Sequence, residues 1–352
     1  MRFRSKDPER VLDELSHLVK HYGARTVWGT DNIIDSRYFS TVLPEVKRRG
    51  LTLNLFFETK ANLRKDHLRT MRDAGMRWFQ PGIESLNTHQ LQLMQKGCTA
   101  LQNIQLLKWV RQLGMAVTWN VLMGFPGETS EDYQLMARYC KVLTHLQPPS
   151  GAHPIRLDRF SPYHDRAAEN GLVQVRPCRA YQFIYPFNLE SLSRLAYFFE
   201  FSYMDGYDPL QAGEPLLKAI SEWVRPESLS VLYAVPGDQS VMICDTRPVA
   251  ASGQRLLLGW EASVYVLCDE IRGFDAIVRH ARTIDPSLAD RDVKVCLDDW
   301  IEQHLMLEEN GNYLSLAVLA DKDTEIETML DQRLKKSTIT VQEESEITSA
   351  SL

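Results

Sequence analysis

Apolar and polar positions alternate between two periods along the first 160 residues. Val11, Leu12, Leu15, Leu18 and Val19 recur at helical spacing over 5–22, where Asp7 and Pro8 suit a helix start and Gly23 a stop. A short apolar strand follows at 26–32. The same sequence of helix, glycine and strand then repeats. Helices are expected over 37–49, 65–74, 87–95, 101–113 and 130–146, with strands from 53, 77 and 117. Residues 148–154 read as a loop, and a more polar strand is expected over 155–161. Helix and strand in strict alternation imply an α/β fold with a parallel sheet. The series opens on a helix, whereas a βα barrel opens on a strand. The expected fold is therefore a partial (β/α) barrel lacking its first strand.

The pattern then changes. The aromatic run 181–203 (YQFIYPFNLESLSRLAYFFEFSY) is expected to be one helix with an aromatic stripe, packed on the barrel or walling its cavity. Residues 208–226 read as a linker. Beyond it, hairpins are expected at 229–245 and 305–318, with a strand at 255–258 and helices at 261–270, 274–283 and 291–304. Helices followed by a hairpin describe an α+β winged-helix-like module over 227–320. The Ser/Thr/Glu-rich end, 321–352, has too little apolar content to support a core. The domain reading is thus barrel with aromatic helix (1–207), linker, module and tail.

Composition narrows the function classes. A hydrophobic fraction of 44% in 352 residues supplies a core without staples. The net charge of −6 argues against a nucleic-acid partner. Residues 291–304 carry three aspartates and a glutamate, which makes a poor recognition helix for phosphates. No apolar run reaches membrane-spanning length and no secretory signal is visible, so a cytoplasmic location with no membrane association is expected. The six cysteines are scattered, and the nearest pair, Cys244 and Cys268, lies 24 residues apart (268 − 244). The local spacing of zinc and iron–sulfur sites is missing, so no metal ligand is assigned.

Candidate chemistry collects at the strand ends, where ligands bind in such folds. Asp31 and Asn32 close the first strand, as helix caps or as contacts to an amino-acid-like ligand. Glu58 and Lys60 share a strand face, as an ion pair or as partners of ribose hydroxyls and a carboxylate. Gln80, Gly82 and Glu84 alternate onto one face with Ser85 at the tip, and buried polar groups there need partners. Asn120 precedes the turn Gly124-Phe-Pro-Gly-Glu128, which is a tight connection or a close approach of backbone to ligand. Arg156, Asp158 and Arg159 end the last strand, as an ion pair or an arginine clamp.

Seven ordered segments, RFRSKDPERVLDEL, TDNIID, FFETKANL, FQPGIESL, LQNIQLLKW, WNVLMGFPGE and PIRLDRFSPY, carry a family resemblance. Together they resemble the radical S-adenosylmethionine (SAM) proteins that mature ribosomally made peptides, and more narrowly the cobalamin-binding subgroup. The resemblance is dense over 1–207 and weaker beyond. It implies a partial (β/α)6 barrel, a [4Fe–4S] cluster, SAM, cobalamin, and C-methylation of a precursor peptide. It places the 30–32 segment at the SAM amino group, Glu58, Lys60, Glu84 and Ser85 near its ribose or carboxylate, and 120–128 at its adenine. The C-terminal module is similar to precursor-peptide recognition elements, which bind a leader by adding a strand to a sheet edge. The family's CxxxCxxC motif and cobalamin domain are not in this sequence. That implies an N-terminally truncated chain: a truncated gene product, a mis-called start with Met1 an internal residue of the family pattern, or a split gene with the cluster motif on a separate polypeptide. The chain alone is then expected to be inactive. The other reading is a non-catalytic partner that binds the precursor peptide.

Overall fold

A computed structural model describes residues 4–31, 33–225, 230–320 and 324. Asn32 and the 325–352 tail lie outside the described residues. The first helix, Pro8–Tyr22, begins at Asp7, whose carboxylate accepts from the Glu9 N–H, and ends at Gly23 in the left-handed conformation (φ 64°). Asp35 anchors the segment before it. Burial opposes its ionisation, but the Arg37 guanidinium and the Ser5 hydroxyl hold the carboxyl down at about 2. The expected helix over 37–49 divides into a 3-10 turn, Ser36–Phe39, and a helix, Val42–Arg48. Pro44 explains the break, because it lacks an N–H and its ring needs the carbonyl four residues back to be out of the way.

Seven short strands among the described residues, all paired parallel, form the barrel wall. Thr26–Trp28 pairs with Asn54–Phe56, Glu58–Thr59 with Trp78–Pro81, and Trp78–Pro81 with Ala116–Val117. Val121–Met123 pairs with Ala152–Pro154, and an isolated bridge joins Glu84 to Val121. Neighbours in sequence are neighbours in the sheet, as short right-handed βα units require. One face of each strand is buried under the helices: Leu55, Phe57, Phe79 and Val117. Gly29 lies on that side, and a Cβ there would strike the Phe57 ring. The alternate residues form a concave inner face.

The last strand differs from expectation. The 148–154 loop contains a strand, Ala152–Pro154, and the chain continues as Leu157–Asp158, which pairs antiparallel with Phe198–Tyr203. The aromatic run is not one helix. It forms two short helices, Ala180–Ile184 and Leu189–Leu195, and the strand Phe198–Tyr203. Pro186 forces Tyr185 into an extended conformation, and Asn188 caps the next turn. Phe198–Tyr203 also pairs with Leu172–Pro177, a strand with no counterpart in the sequence reading.

The stretch read as a linker holds helices Pro209–Ala212 and Glu214–Val224. Trp223 of the latter is buried against Trp119, with centroids 6.2 Å apart, and donates to the Leu146 carbonyl at 3.2 Å. The C-terminal hairpin Leu232–Gly237/Ser240–Asp245, strand Gln254–Leu258, and helices Gly259–Leu267, Phe274–Ile284 and Asp290–Glu302 follow the expected order. A second hairpin pairs Met306–Glu309 with Asn312–Ser315. One continuous core joins this part to the barrel. Buried charges cross the seam. Lys108 and Lys65 lie 3.3 and 3.0 Å from the Asp269 carboxylate, and Trp109 donates to it at 3.1 Å. Burial lowers the Lys108 ammonium and opposes ionisation of Asp269, yet Lys108 and Lys65 hold Asp269 below its ordinary value.

Candidate functional site

Register places the polar candidates on the concave face. Glu58 lies opposite Gln80, and two residues earlier the Phe56 ring packs against Trp78 with centroids 4.5 Å apart. Trp28 lies opposite Phe56 in turn. The wall therefore carries an aromatic rung, Trp28–Phe56–Trp78, and one step toward the strand C-termini a polar rung, Glu58–Gln80. Lys60 continues the Glu58 face by two-residue alternation and is exposed. Thr118 and Asn120 are the half-exposed residues between buried Val117, Trp119 and Val121, so they continue the same face. Among the described residues, neither the Glu58 carboxylate nor the Lys60 ammonium forms an ion pair.

Glu84 sits at the rim with φ 56° and pairs with Lys96 at 2.7 Å. Lys96 also lies 3.2 Å from where a Cβ on Gly82 would stand, so the Lys96–Glu84 pair lies over Gly82 just past the strand end. Asp31 is exposed at the end of the first strand.

Three expected contacts are placed elsewhere. Ser85 is fully buried, donates to Gln90 Oε1 at 2.7 Å and accepts from the Asn87 N–H at 3.0 Å. It holds the loop rather than facing the concave side. Arg159 donates to the Ala196 carbonyl at 2.6 Å and to that of Ser193, so its fork closes the end of helix Leu189–Leu195. Arg156 pairs with Asp158 at 2.7 Å, and the strand end is an ion pair and not a clamp.

The Gly124–Glu128 turn is closed on itself. The Gly124 N–H donates to Glu128 Oε2 at 2.6 Å and lies 3.0 Å from the Tyr133 hydroxyl, which also donates to Glu128 Oε2. The Tyr203 hydroxyl donates to the Gly124 carbonyl, and Tyr207 donates to Tyr133 at 3.4 Å. Gly124 has φ +90°, and a Cβ would strike Tyr203. Glu128 Oε1 is buried without a hydrogen-bond partner. Burial pushes the Glu128 carboxyl up to about 7, against the hydrogen bonds from Tyr133 and Gly124 that favour the anion. The three tyrosines were not legible as site residues. Tyr203 was read as part of a helix, and Tyr133 as one residue of a long amphipathic helix.

Beside this turn, Asp132 accepts from Asn87 at 3.1 Å and from the Thr129 N–H at 2.9 Å, and lies 3.0 Å from His89 Nδ1. The sequence offered no signal for this pairing across 43 residues.

The residues present do not fit an iron–sulfur cluster. Among the described residues, no three His, Cys, Asp or Glu side chains come together to hold a metal ion. Burial pushes the Cys140, Cys268 and Cys296 thiols up to about 12, away from the thiolate a cluster needs. Nothing in the described residues marks a cobalamin cradle. The concave face does fit a charged, hydroxylated ligand such as SAM, because it presents an uncompensated carboxylate, an ammonium and two amides together. No helix among the described residues is long and apolar enough to cross a membrane.

Residues 1–140 match the family model of the radical SAM superfamily. An uncharacterized methyltransferase of Pyrococcus horikoshii is 26% identical over 145 residues, which is 40% of this chain and 32% of that protein. The hopanoid C-3 methylase of Methylococcus capsulatus is 22% identical over 149 residues, 41% of this chain and 28% of that protein. The chain thus spans about a third of the length of the curated relatives it matches. Among solved structures, the radical SAM methyltransferase TsrM of Kitasatospora setae, with tryptophan substrate and a SAM analog bound, is similar at TM-score 0.49. It is 17% identical, over 64% of this chain and 47% of that one. Residues 1–140 of this chain are therefore similar in sequence to the radical SAM superfamily and, over a comparable length, to parts of two methyltransferases.

Proposed function

We propose that the chain is the SAM-binding barrel and substrate-binding part of a radical SAM methyltransferase that modifies a ribosomally made precursor peptide, with cobalamin as methyl carrier. The observation that carries the reading is the rung of unpaired polar groups, Glu58, Gln80 and Lys60, on the inner face of a domain matched to the radical SAM superfamily. SAM bound there would supply the methyl group or the 5′-deoxyadenosyl fragment. In this chain Glu58 accepts from ribose hydroxyls, Lys60 meets the carboxylate, and the Gly124–Glu128 turn lies beside the adenine.

The cluster ligands are assigned outside the described residues, because no described thiol set can anchor the cluster. The C-terminal part is assigned the peptide, in line with its hairpin edges. The test combines this chain, a polypeptide carrying a Cys-x-x-x-Cys-x-x-Cys motif, cobalamin, methyl-labelled SAM and a precursor peptide, anaerobically with a reductant. Label on a peptide carbon only when both polypeptides are present supports the reading. Labelling that proceeds equally without this chain refutes it. A stoichiometric cluster on this chain alone after reconstitution refutes the assignment of the cluster elsewhere.

A further inference from the structure

We propose that the cleft between helix Ala100–Gln112 and the turn of the last hairpin holds an extended peptide by its main chain, with a basic side chain at Glu309; this rests on the reading of the chain as part of an enzyme that acts on a peptide. The cleft has a volume of about 440 Å³, inside the usual range of about 300–1,000 Å³ for ligand sites. None of its lining residues comes from the barrel strands, so it is separate from the concave face. Four carboxamides line it: Gln102 and Gln105 one turn apart on the helix, and Asn310 and Asn312 on the hairpin. Their hydrogen-bonding capacity is only partly used. Gln102 Oε1 accepts from the Thr99 N–H at 2.9 Å and Gln105 Oε1 from the Ile271 N–H at 2.7 Å, but neither Nε2 has a partner among the described residues. Asn312 donates to the Asn310 carbonyl at 3.3 Å, and the Asn310 side chain has no partner among the described residues. Arg272 pairs with Glu270, which leaves Glu309 as the lining charge without an ion pair among the described residues.

These groups select the occupant. A phosphate is disfavoured, because the lining carries two carboxylates against one guanidinium, and that guanidinium is already taken. A nucleobase finds no stacking platform, since no aromatic side chain lines the cleft. A peptide group presents an N–H and a C=O in one plane, and a carboxamide carries the matching acceptor and donor. The occupant does not extend the sheet. Strand Arg272–Gly273 is the sheet edge, but the Gln105 side chain already takes the Ile271 N–H beside it. The main chain is therefore gripped by side chains from both walls, and Glu309 favours a lysine or arginine at one end.

The test uses the full chain without SAM, cobalamin or any cluster. The probe is trifluoroacetyl-Gly-Gly-Lys-Gly-Gly-amide, followed by fluorine NMR. Saturable broadening of its signal is expected. Replacing the glycines of the probe by sarcosine removes main-chain N–H donors and should weaken binding about ten-fold. Glutamate in place of the probe lysine should weaken it several-fold, and Glu309→Gln should abolish that preference. Asn310→Gly with Asn312→Ala removes two carboxamides while keeping the left-handed backbone of residue 310 (φ 53°), and should weaken binding about ten-fold. The sarcosine comparison needs no variant, so it decides even where a substitution disturbs the hairpin.

Broadening that never saturates, equal affinity for the sarcosine probe, or equal affinity in the double variant overturns the proposal. Because SAM is absent throughout, failure here leaves the methyltransferase reading standing. Intact probe binding with no label on the precursor peptide in the complete mixture removes that reading alone.

Discussion

The Gly124 amide and the Glu128 carboxylate close a five-residue turn at 2.6 Å, and the Tyr203 hydroxyl grips the Gly124 carbonyl from a strand 79 residues away. The turn at the barrel rim is therefore fixed from both sides. Gly124 has φ +90°, and any Cβ would collide with Tyr203. Gly124→Ala should cost about 1–3 kcal/mol, read by urea denaturation. Tyr203→Phe, which only frees the carbonyl, should cost about 1 kcal/mol.

Burial raises the Glu128 carboxyl to about 7 from an ordinary 4.5. A group whose folded value is raised binds its proton more tightly in the folded state. Its favourable contribution is present below about 4.5 and is lost as pH rises through about 7. Stability should therefore fall between those values by up to about 3 kcal/mol from this residue. Glu128→Gln keeps an acceptor for Gly124 and Tyr133 and should flatten that part of the profile. Thermal denaturation of both proteins across pH 4–8 checks it, and an unchanged slope in the variant contradicts it.

Much of the barrel was legible in the sequence. Two-residue alternation put Glu58 and Lys60 on one strand face, and buried Leu55, Phe57 and Phe79 fill the face opposite Glu58 and Gln80. The aromatic run was misread because dense aromatics satisfy both helical and strand periods, and Pro186 was the neglected signal. Ser85 and Arg159 were misplaced for a different reason. Both sit at strand ends, but their partners, Gln90 and the Ala196 carbonyl, are set by loop geometry that no spacing encodes. The tyrosine grip on the turn and the His89–Asp132 contact are likewise long-range pairings.

Asp269 pairs with two lysines, Lys65 and Lys108, at the seam between barrel and C-terminal part. Removing it leaves Lys108 fully enclosed and uncompensated. Asp269→Ala should destabilise by about 3–5 kcal/mol, whereas combining it with Lys108→Met should recover most of the loss. Denaturant melts of the three variants measure this, and additive losses would contradict the coupling.

The two arginines of the last strand should behave differently. Arg159→Ala exposes two helix-end carbonyls to loss of their donor and should cost about 1–2 kcal/mol, with faster exchange of amides in Leu189–Leu195. Arg156→Ala breaks an exposed ion pair and should cost under about 1 kcal/mol. Neither should change SAM binding.

Equilibrium dialysis of radiolabelled SAM against the chain, alone and with Lys60→Ala and Glu58→Gln, tests the central claim most directly. The account predicts one saturable site, weakened at least ten-fold, or about 1.4 kcal/mol, when both residues are replaced. Saturable binding that is indifferent to the two substitutions, or no saturable binding at millimolar SAM, would contradict it.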